Sequence, residues 1–228
     1  MDSWQNLPRA AFDLETTGRN PLEARIVTAT VMVVAGDGSL TDHHEWLVDP
    51  GIPIPDEAAE IHGVTTERAR AEGMPAGVAV QELSTLLTRL FAAGLPVLAF
   101  NASYDFTVLA AEGERYAVPT PVPVSVIDPY IMDKQADRFR RGKRTLSAMC
   151  EHYGIELTDA HTSAADVWAT LRVAAELATR FPLLCQPAAQ LHELQRGWAQ
   201  NQASSFQEYL RRSNPDAVVD GSWPLRDS

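Results

Sequence analysis

Positive charge is scarce in this chain: 19 Lys plus Arg stand against 30 Asp plus Glu over 228 residues, a formal charge of −11. Such a balance argues against a protein that coats nucleic acid through a broad basic surface. It leaves room for an enzyme that meets a phosphate chain at a single cleft. Long apolar runs are missing too, and without a stretch of about eighteen such residues no membrane-spanning helix is expected. The opening residues Met1 to Asn6 have neither a basic nor an apolar signal region, so no secretory leader is expected and the location implied is cytoplasmic. Cysteine is limited to Cys150 and Cys185, without C-x-x-C spacing. Both read as buried thiols, which excludes a zinc ribbon and a disulfide framework. Internal repeats and low-complexity segments are absent, and 45% hydrophobic residues suit one large domain with an appendage.

What is present begins with Phe12-Asp13-Leu14-Glu15-Thr16-Thr17-Gly18. Side chains alternate across a strand, so Asp13 and Glu15 share one face while Phe12 and Leu14 share the other. Two like charges at the end of a core strand repel unless a cation lies between them, and a hard divalent ion is the natural candidate. Taken alone, the pair is better read as an edge strand with a solvated acidic face.

Arg25 to Ala35 is β-branched and nearly continuous, which predicts a central strand. Gly36-Asp37-Gly38 predicts a hairpin, with Leu40 to Val48 returning as a third strand. Asp49-Pro50-Gly51, Pro53 and Pro55 break regular structure, and Ile61 to Thr65 reads as a loop before a short helix capped at Thr65 or Thr66. Val78, Leu83, Leu86, Leu87, Leu90 and Phe91 fall at helical spacing over about Pro75 to Ala92. A short strand at Pro96 to Phe100 and a helix from Asn101 to Glu112 follow, then a strand from Val124 to Ile127 ending at Asp128. Helices are predicted near Thr145 to Tyr153 and Ser163 to Phe181, the latter burying Ala164, Trp168, Leu171, Ala175 and Ala178. Beyond Pro187 comes one more long helix, with Trp198, Phe206 and Tyr209 on it, and an irregular tail from Ser213. An antiparallel meander followed by strands alternating with helices implies an α/β fold with a mixed sheet. The expected division is residues 1–182 and a helical extension over 183–228.

Asp105 follows an apolar strand by one helical turn, and His161 and Asp166 are five apart at the start of a helix. Singly, an acid in a first turn favours the helix dipole and a His before a helix is a capping or packing residue. Together with Asp13-x-Glu15-Thr16-Thr17-Gly18, Asn101-x-x-x-Asp105, His161-x-x-x-x-Asp166 and Ile61-His62-Gly63-Val64-Thr65, they resemble the DEDDh group of 3′→5′ exonucleases. That group includes the proofreading epsilon subunit, ribonuclease T and oligoribonuclease, and the resemblance runs from about Arg9 to Arg180.

The resemblance implies a ribonuclease H-like mixed sheet flanked by helices. It implies Asp13, Glu15, Asp105 and Asp166 as ligands of two Mg²⁺ or Mn²⁺ ions and His161 as general base, with release of nucleoside 5′-monophosphates. Thr16, Gly18 and His62 would embrace the terminal nucleotide, and Asn101 and Tyr104 would touch its sugar or base. Arg138, Arg140, Arg141, Lys143 and Arg144 form either a solvated loop or a phosphate clamp, with Lys143 and Arg144 as the substrate contacts named. Two positions depart from the family pattern: Phe100 where His often precedes the Asn, and Ser163 where Ala is commoner. The partner implied is a nucleic-acid 3′ end, DNA before RNA, with no membrane. The C-terminal helix packs on its own domain or meets a protein partner or second copy. A free-standing DNA exonuclease is the reading adopted, with an exoribonuclease, a polymerase proofreading subunit and a non-catalytic binding module as alternatives.

Overall fold

The computed structural model describes residues 2–157 and 162–226. Strands β1 (Arg9–Thr16), β2 (Ile26–Val34) and β3 (Leu40–Asp49) form the expected antiparallel meander. Helices α1 (Asp56–His62) and α2 (Thr66–Glu72) follow, then the two-residue strand β4 (Met74–Pro75) and helix α3 (Ala76–Ala92). The chain continues through β5 (Val97–Leu98), α4 (Ser103–Tyr116), β6 (Val126–Ile127), α5 (Pro129–Ala136) and α6 (Leu146–Tyr153). It closes with α7 (Ser163–Arg180) and α8 (Ala188–Leu210). The six strands lie in the order β4-β3-β2-β1-β5-β6, with β5 parallel to β1, β6 parallel to β5 and β4 parallel to β3. This is a ribonuclease H-like α/β architecture with helices on both faces.

Alternation along β1 divides the core. Ala10, Phe12 and Leu14 pack with α3 and α4, where the Phe12 and Phe106 rings meet edge to face at 5.0 Å. Ala11, on the other face, packs with residues of α6 and α7. Strict period-two geometry therefore sends Asp13 and Glu15 towards the α7 side as β1 leaves the core. At that point the β1–β2 register slips between Glu15 and Thr16, an irregularity that redirects the following turn.

Several sequence expectations need correction. The segment after Pro55 is helical (α1), though it buries no residue fully and so carries no apolar stripe to reveal it. Helix α5 was also not foreseen; Asp128 caps it by accepting from the Tyr130 N–H, with Pro129 in its first turn. The buried face of α7 is turned from the one expected: Val167, Thr170, Leu171, Ala174, Leu177 and Ala178 are inside, while Ala164, Trp168 and Ala175 are only partly covered. Val78 of α3 points outward, and Cys185 is partly exposed, unlike the buried Cys150.

Helix α8 packs on the domain's own body. Gln195 donates to the Val126 carbonyl (2.9 Å) and accepts from the Asp128 N–H (2.7 Å), while His192 Nδ1 accepts from the Val126 N–H (3.1 Å). The tail beyond α8 lacks regular structure but returns to the core through the buried Trp223. Among the described residues no helix is long and apolar enough to cross a membrane.

Candidate active site

Three of the four predicted carboxylates converge. Asp13 and Glu15 from β1 and Asp166 from the first turns of α7 each offer an oxygen, and these atoms lie within 4.8 Å of one another. Helix α7 is set in place by two devices. Thr162 caps it, accepting from the Ala165 N–H, and the buried Ser163 hydroxyl meets Thr30 Oγ1 of β2 at 2.7 Å. Ser163, one of the two departures from the family pattern, thus ties the carboxylate-bearing helix to the sheet. Asp105 stands beside this group rather than in it. It is buried at the start of α4, and its Oδ1 accepts the Leu14 N–H at 3.1 Å, between the two β1 acids. His161 lies outside the described residues.

Electrostatics define what the cluster will accept. Burial, then the neighbouring charges of Asp105, Glu15 and Asp166, push the Asp13 carboxyl well above the ordinary carboxylate range. Burial and Asp166 raise Glu15 to about 7. Asp105 is raised as well, by burial opposed by its hydrogen bond from Leu14. Like charges gathered in a low-dielectric pocket favour protons or a multivalent cation. The donor set is all oxygen, which suits a hard divalent ion such as Mg²⁺ or Mn²⁺ and offers no soft thiolate.

Four of the seven predicted substrate contacts lie next to it. Glu15, Thr16, Gly18, His62 and Tyr104 line one cleft of about 430 Å³, whose far wall is Pro55, Ala58 and Ile61 around α1. The Tyr104 hydroxyl meets Thr16 Oγ1 at 2.5 Å and also donates to the Gly18 carbonyl, so the β1 turn and α4 are stitched together. His62 accepts from the Val64 N–H through Nδ1 at 3.2 Å, while its buried Nε2 lacks a hydrogen-bond partner. Burial lowers the His62 pKa, partly offset by the Thr16 backbone, so the ring enters the cleft neutral near pH 7.

Asn101 takes a left-handed backbone at φ 58, uncommon for a residue with a side chain. Its N–H and that of Ala102 both donate to the buried Asp128 carboxylate, each at 3.0 Å. The same carboxylate accepts from the Tyr130 N–H (2.9 Å) and Trp223 Nε1 (3.2 Å). The sequence marks Asp128 only as the end of a strand, yet it positions the turn from which α4 carries Tyr104 and Asp105. An Asp-Pro pair closing an apolar strand is a helix-start signal and could have revealed it. Burial nonetheless raises its carboxyl to about 6.

The basic loop divides. Arg140 (2.9 Å) and Arg144 donate to the buried Asp133 carboxylate, which Tyr153 also contacts. Arg144 is therefore a structural partner of Asp133, and it also lines the cleft between α5 and α8. Lys143 is exposed, and its carbonyl accepts from Arg140 at 3.2 Å. Phe100 packs edge to face on Tyr130, ring centres 5.9 Å apart.

Comparisons with known proteins give the chain's family and fold. The RNase T family model, described as an exonuclease, matches residues 10–174. A PolC-type DNA polymerase III of Streptococcus thermophilus is 25% identical over 163 residues, 71% of this chain but 10% of the polymerase. A DNA polymerase III epsilon-like protein of Rhodobacter capsulatus is 29% identical over 168 residues, 70% of this chain and 22% of its own. Among solved structures, Escherichia coli exonuclease I in complex with a dT13 oligonucleotide superposes with a TM-score of 0.63 at 20% identity, covering 78% of this chain and 42% of that one. A zinc-bound form of the exonuclease I–single-stranded DNA complex gives 0.65 at 21% identity, over the same shares. The chain thus spans a small part of the curated relatives and under half of exonuclease I. The family match and the acidic cluster together make divalent metal ions the cofactor. This chain belongs to the RNase T exonuclease family, the DnaQ-like 3′→5′ exonucleases.

Proposed function

We propose that the protein is a free-standing 3′→5′ exonuclease that removes nucleoside 5′-monophosphates from DNA 3′ ends in repair or nucleic-acid turnover. The observation that carries this reading is the Asp13–Glu15–Asp166 cluster opening onto the cleft of Thr16, Gly18, His62 and Tyr104. Bound at Asp13, Glu15, Asp105 and Asp166, two divalent ions supply Lewis-acid activation of water and neutralise charge at phosphorus. Thr16 and Gly18 form the floor under the terminal nucleotide, and His62 and Tyr104 confine it from either side. Asn101 faces its sugar, and Lys143 reaches a phosphate further along the strand. His161 takes the proton of the attacking water, a contribution of about 10²- to 10⁴-fold. DNA is favoured over RNA because exonuclease I, of like fold, is recorded with a dT13 strand.

The polymerase III relatives support a second reading, as a proofreading component. The two differ in whether the chain acts by itself or bound to a polymerase. Residues 1–182 are the exonuclease unit on either reading, and 183–228 an extension tied to it through Gln195 and Trp223.

The test uses a 3′-labelled DNA strand with Mg²⁺ or Mn²⁺, and with EDTA as the control. Labelled mononucleotide should be the first product, and early internal fragments would overturn the assignment. His161→Ala should give the same product more slowly by about 10²- to 10⁴-fold, with metal binding retained. An unchanged rate would remove His161 from the mechanism.

A further inference from the structure

The cleft between α5 and α8 carries features that the site just described does not use. It encloses about 730 Å³, and its lining includes Lys134, Arg138, Tyr130, Phe206 and Tyr209. In a chain of net charge −11, no carboxylate stands among its described lining residues. Three aromatic rings are interleaved with the cations. Lys134 Nζ sits 4.8 Å over the Tyr130 ring, and Phe206 and Tyr209 stack with ring centres 6.4 Å apart. Both α8 rings are more than half exposed, at 51% and 61%, an expensive way to place aromatics unless something covers them. Gln202, on the floor, donates to the Ile131 carbonyl at 3.2 Å while its buried Oε1 lacks a hydrogen-bond partner.

The cleft is also connected to the proposed site. Tyr130, Lys134, Gln202 and Phe206 line in addition an adjoining cavity of about 490 Å³ that reaches Asn101 and Ser103 at the start of α4. One wall of the cleft, α8, lies beyond the residues 10–174 matched by the family.

We propose that the α5–α8 cleft is a track for single-stranded nucleic acid, holding the nucleotides upstream of the 3′ end whose removal is proposed above. Lys134 and Arg138 meet phosphates, and Tyr130, Phe206 and Tyr209 stack on bases without regard to sequence. The amide of Gln202 offers an acceptor to a base edge or sugar. Local positive charge in a strongly acidic protein selects a polyanion here, and the flat exposed rings select one with π faces. A folded duplex, whose bases are stacked on each other, satisfies only the first.

The inference rests on the exonuclease reading, and its test separates the two. Fluorescence anisotropy of 5′-labelled dT12 and rU12, with Ca²⁺ in place of Mg²⁺, measures binding by the full chain. Phe206→Ala/Tyr209→Ala should weaken dT12 by roughly tenfold or more. Lys134→Ala/Arg138→Ala should reduce the salt slope of binding by about 1.4, two phosphates' worth for a single strand. With Mg²⁺, the ratio of kcat/KM for dT12 over dT3 should fall towards one in both variants. If the wild-type protein degrades neither oligonucleotide, the proposed function fails. If it degrades them and neither pair alters the dissociation constant, salt slope or length ratio, the track alone is overturned, and the surface belongs to a protein partner or second copy. Both ring positions are exposed, and thermal melts of each variant verify that folding is intact.

Discussion

Asp13→Asn should abolish hydrolysis and, without metal, make the protein more stable. The first effect follows from the position of Asp13 at the centre of the acidic cluster, facing Glu15, Asp105 and Asp166. Replacing an anionic oxygen by a neutral amide weakens the hold on divalent ions, whose contribution to the transition state is several kcal/mol, so about a thousandfold or more in rate. The second effect follows from repulsion. Asp13 is raised well above the ordinary range and Glu15 to about 7, so the fold binds more protons than the unfolded chain between the usual carboxylate value and about 7. The contribution of these two carboxyls to the stability of the metal-free protein is therefore greatest below the ordinary carboxylate value and is lost as pH rises through that window. Melts in EDTA at about pH 5 and pH 8 should show this fall for the wild type and a smaller one for Asp13→Asn. Added Mn²⁺ should raise the wild-type melting temperature most at the higher pH and leave the variant nearly unmoved. A variant that melts lower than wild type at pH 8 in EDTA would contradict the electrostatic account.

Asp128→Ala should destabilise the fold by about 3–5 kcal/mol and disable the site without touching it. The carboxylate is buried and accepts from the Asn101, Ala102 and Tyr130 N–H groups and from Trp223 Nε1. Alanine would strand four donors in the interior, and each buried unsatisfied donor costs about 1–3 kcal/mol before relaxation or water entry. The left-handed turn at Asn101 depends on those bonds, and α4 with Asp105 starts from it. For a domain of this length the melting temperature should fall by about 10 °C, with weakened metal affinity. Asp128→Asn keeps an acceptor oxygen and should recover much of the loss. Equal effects of Ala and Asn would show that the hydrogen bonds are not the cause.

The contrast between these two aspartates shows which parts of the chain could be read in advance. Asp13 announces itself because strand alternation is local: Phe12 and Leu14 must face the core, so Asp13 and Glu15 cannot. The meander and α2, α3, α6 and α7 were legible for the same reason, since apolar period and caps lie within each segment. Asp128 was not, because its four partners come from three separate stretches of chain. The pairing of Arg144 with Asp133 is hidden on similar grounds, as only the fold brings the two together. Helix α1 has no fully buried residue, and α5 is a short run between a strand and a basic loop, so neither repeats an apolar pattern long enough to detect. The α7 face was mistaken by a fraction of a turn: Trp168 drew the stripe towards itself, whereas the sheet accepts the smaller Val167, Thr170 and Ala174.

Strand β6 ends the sheet, and an end strand exposes backbone groups that can template pairing with another chain. Here side chains of α8 take the place of a seventh strand: His192 and Gln195 meet the N–H and carbonyl of Val126 and the N–H of Asp128. The extension therefore acts as an insulator of the sheet, and its imidazole and amide mimic a neighbour's peptide groups while being unable to propagate the ladder. A chain cut after Phe181 would keep every acidic ligand and still present a bare, apolar edge at Val126–Ile127. Its failure would be aggregation through strand pairing, with the chemistry of the cluster intact in whatever fraction stayed monomeric.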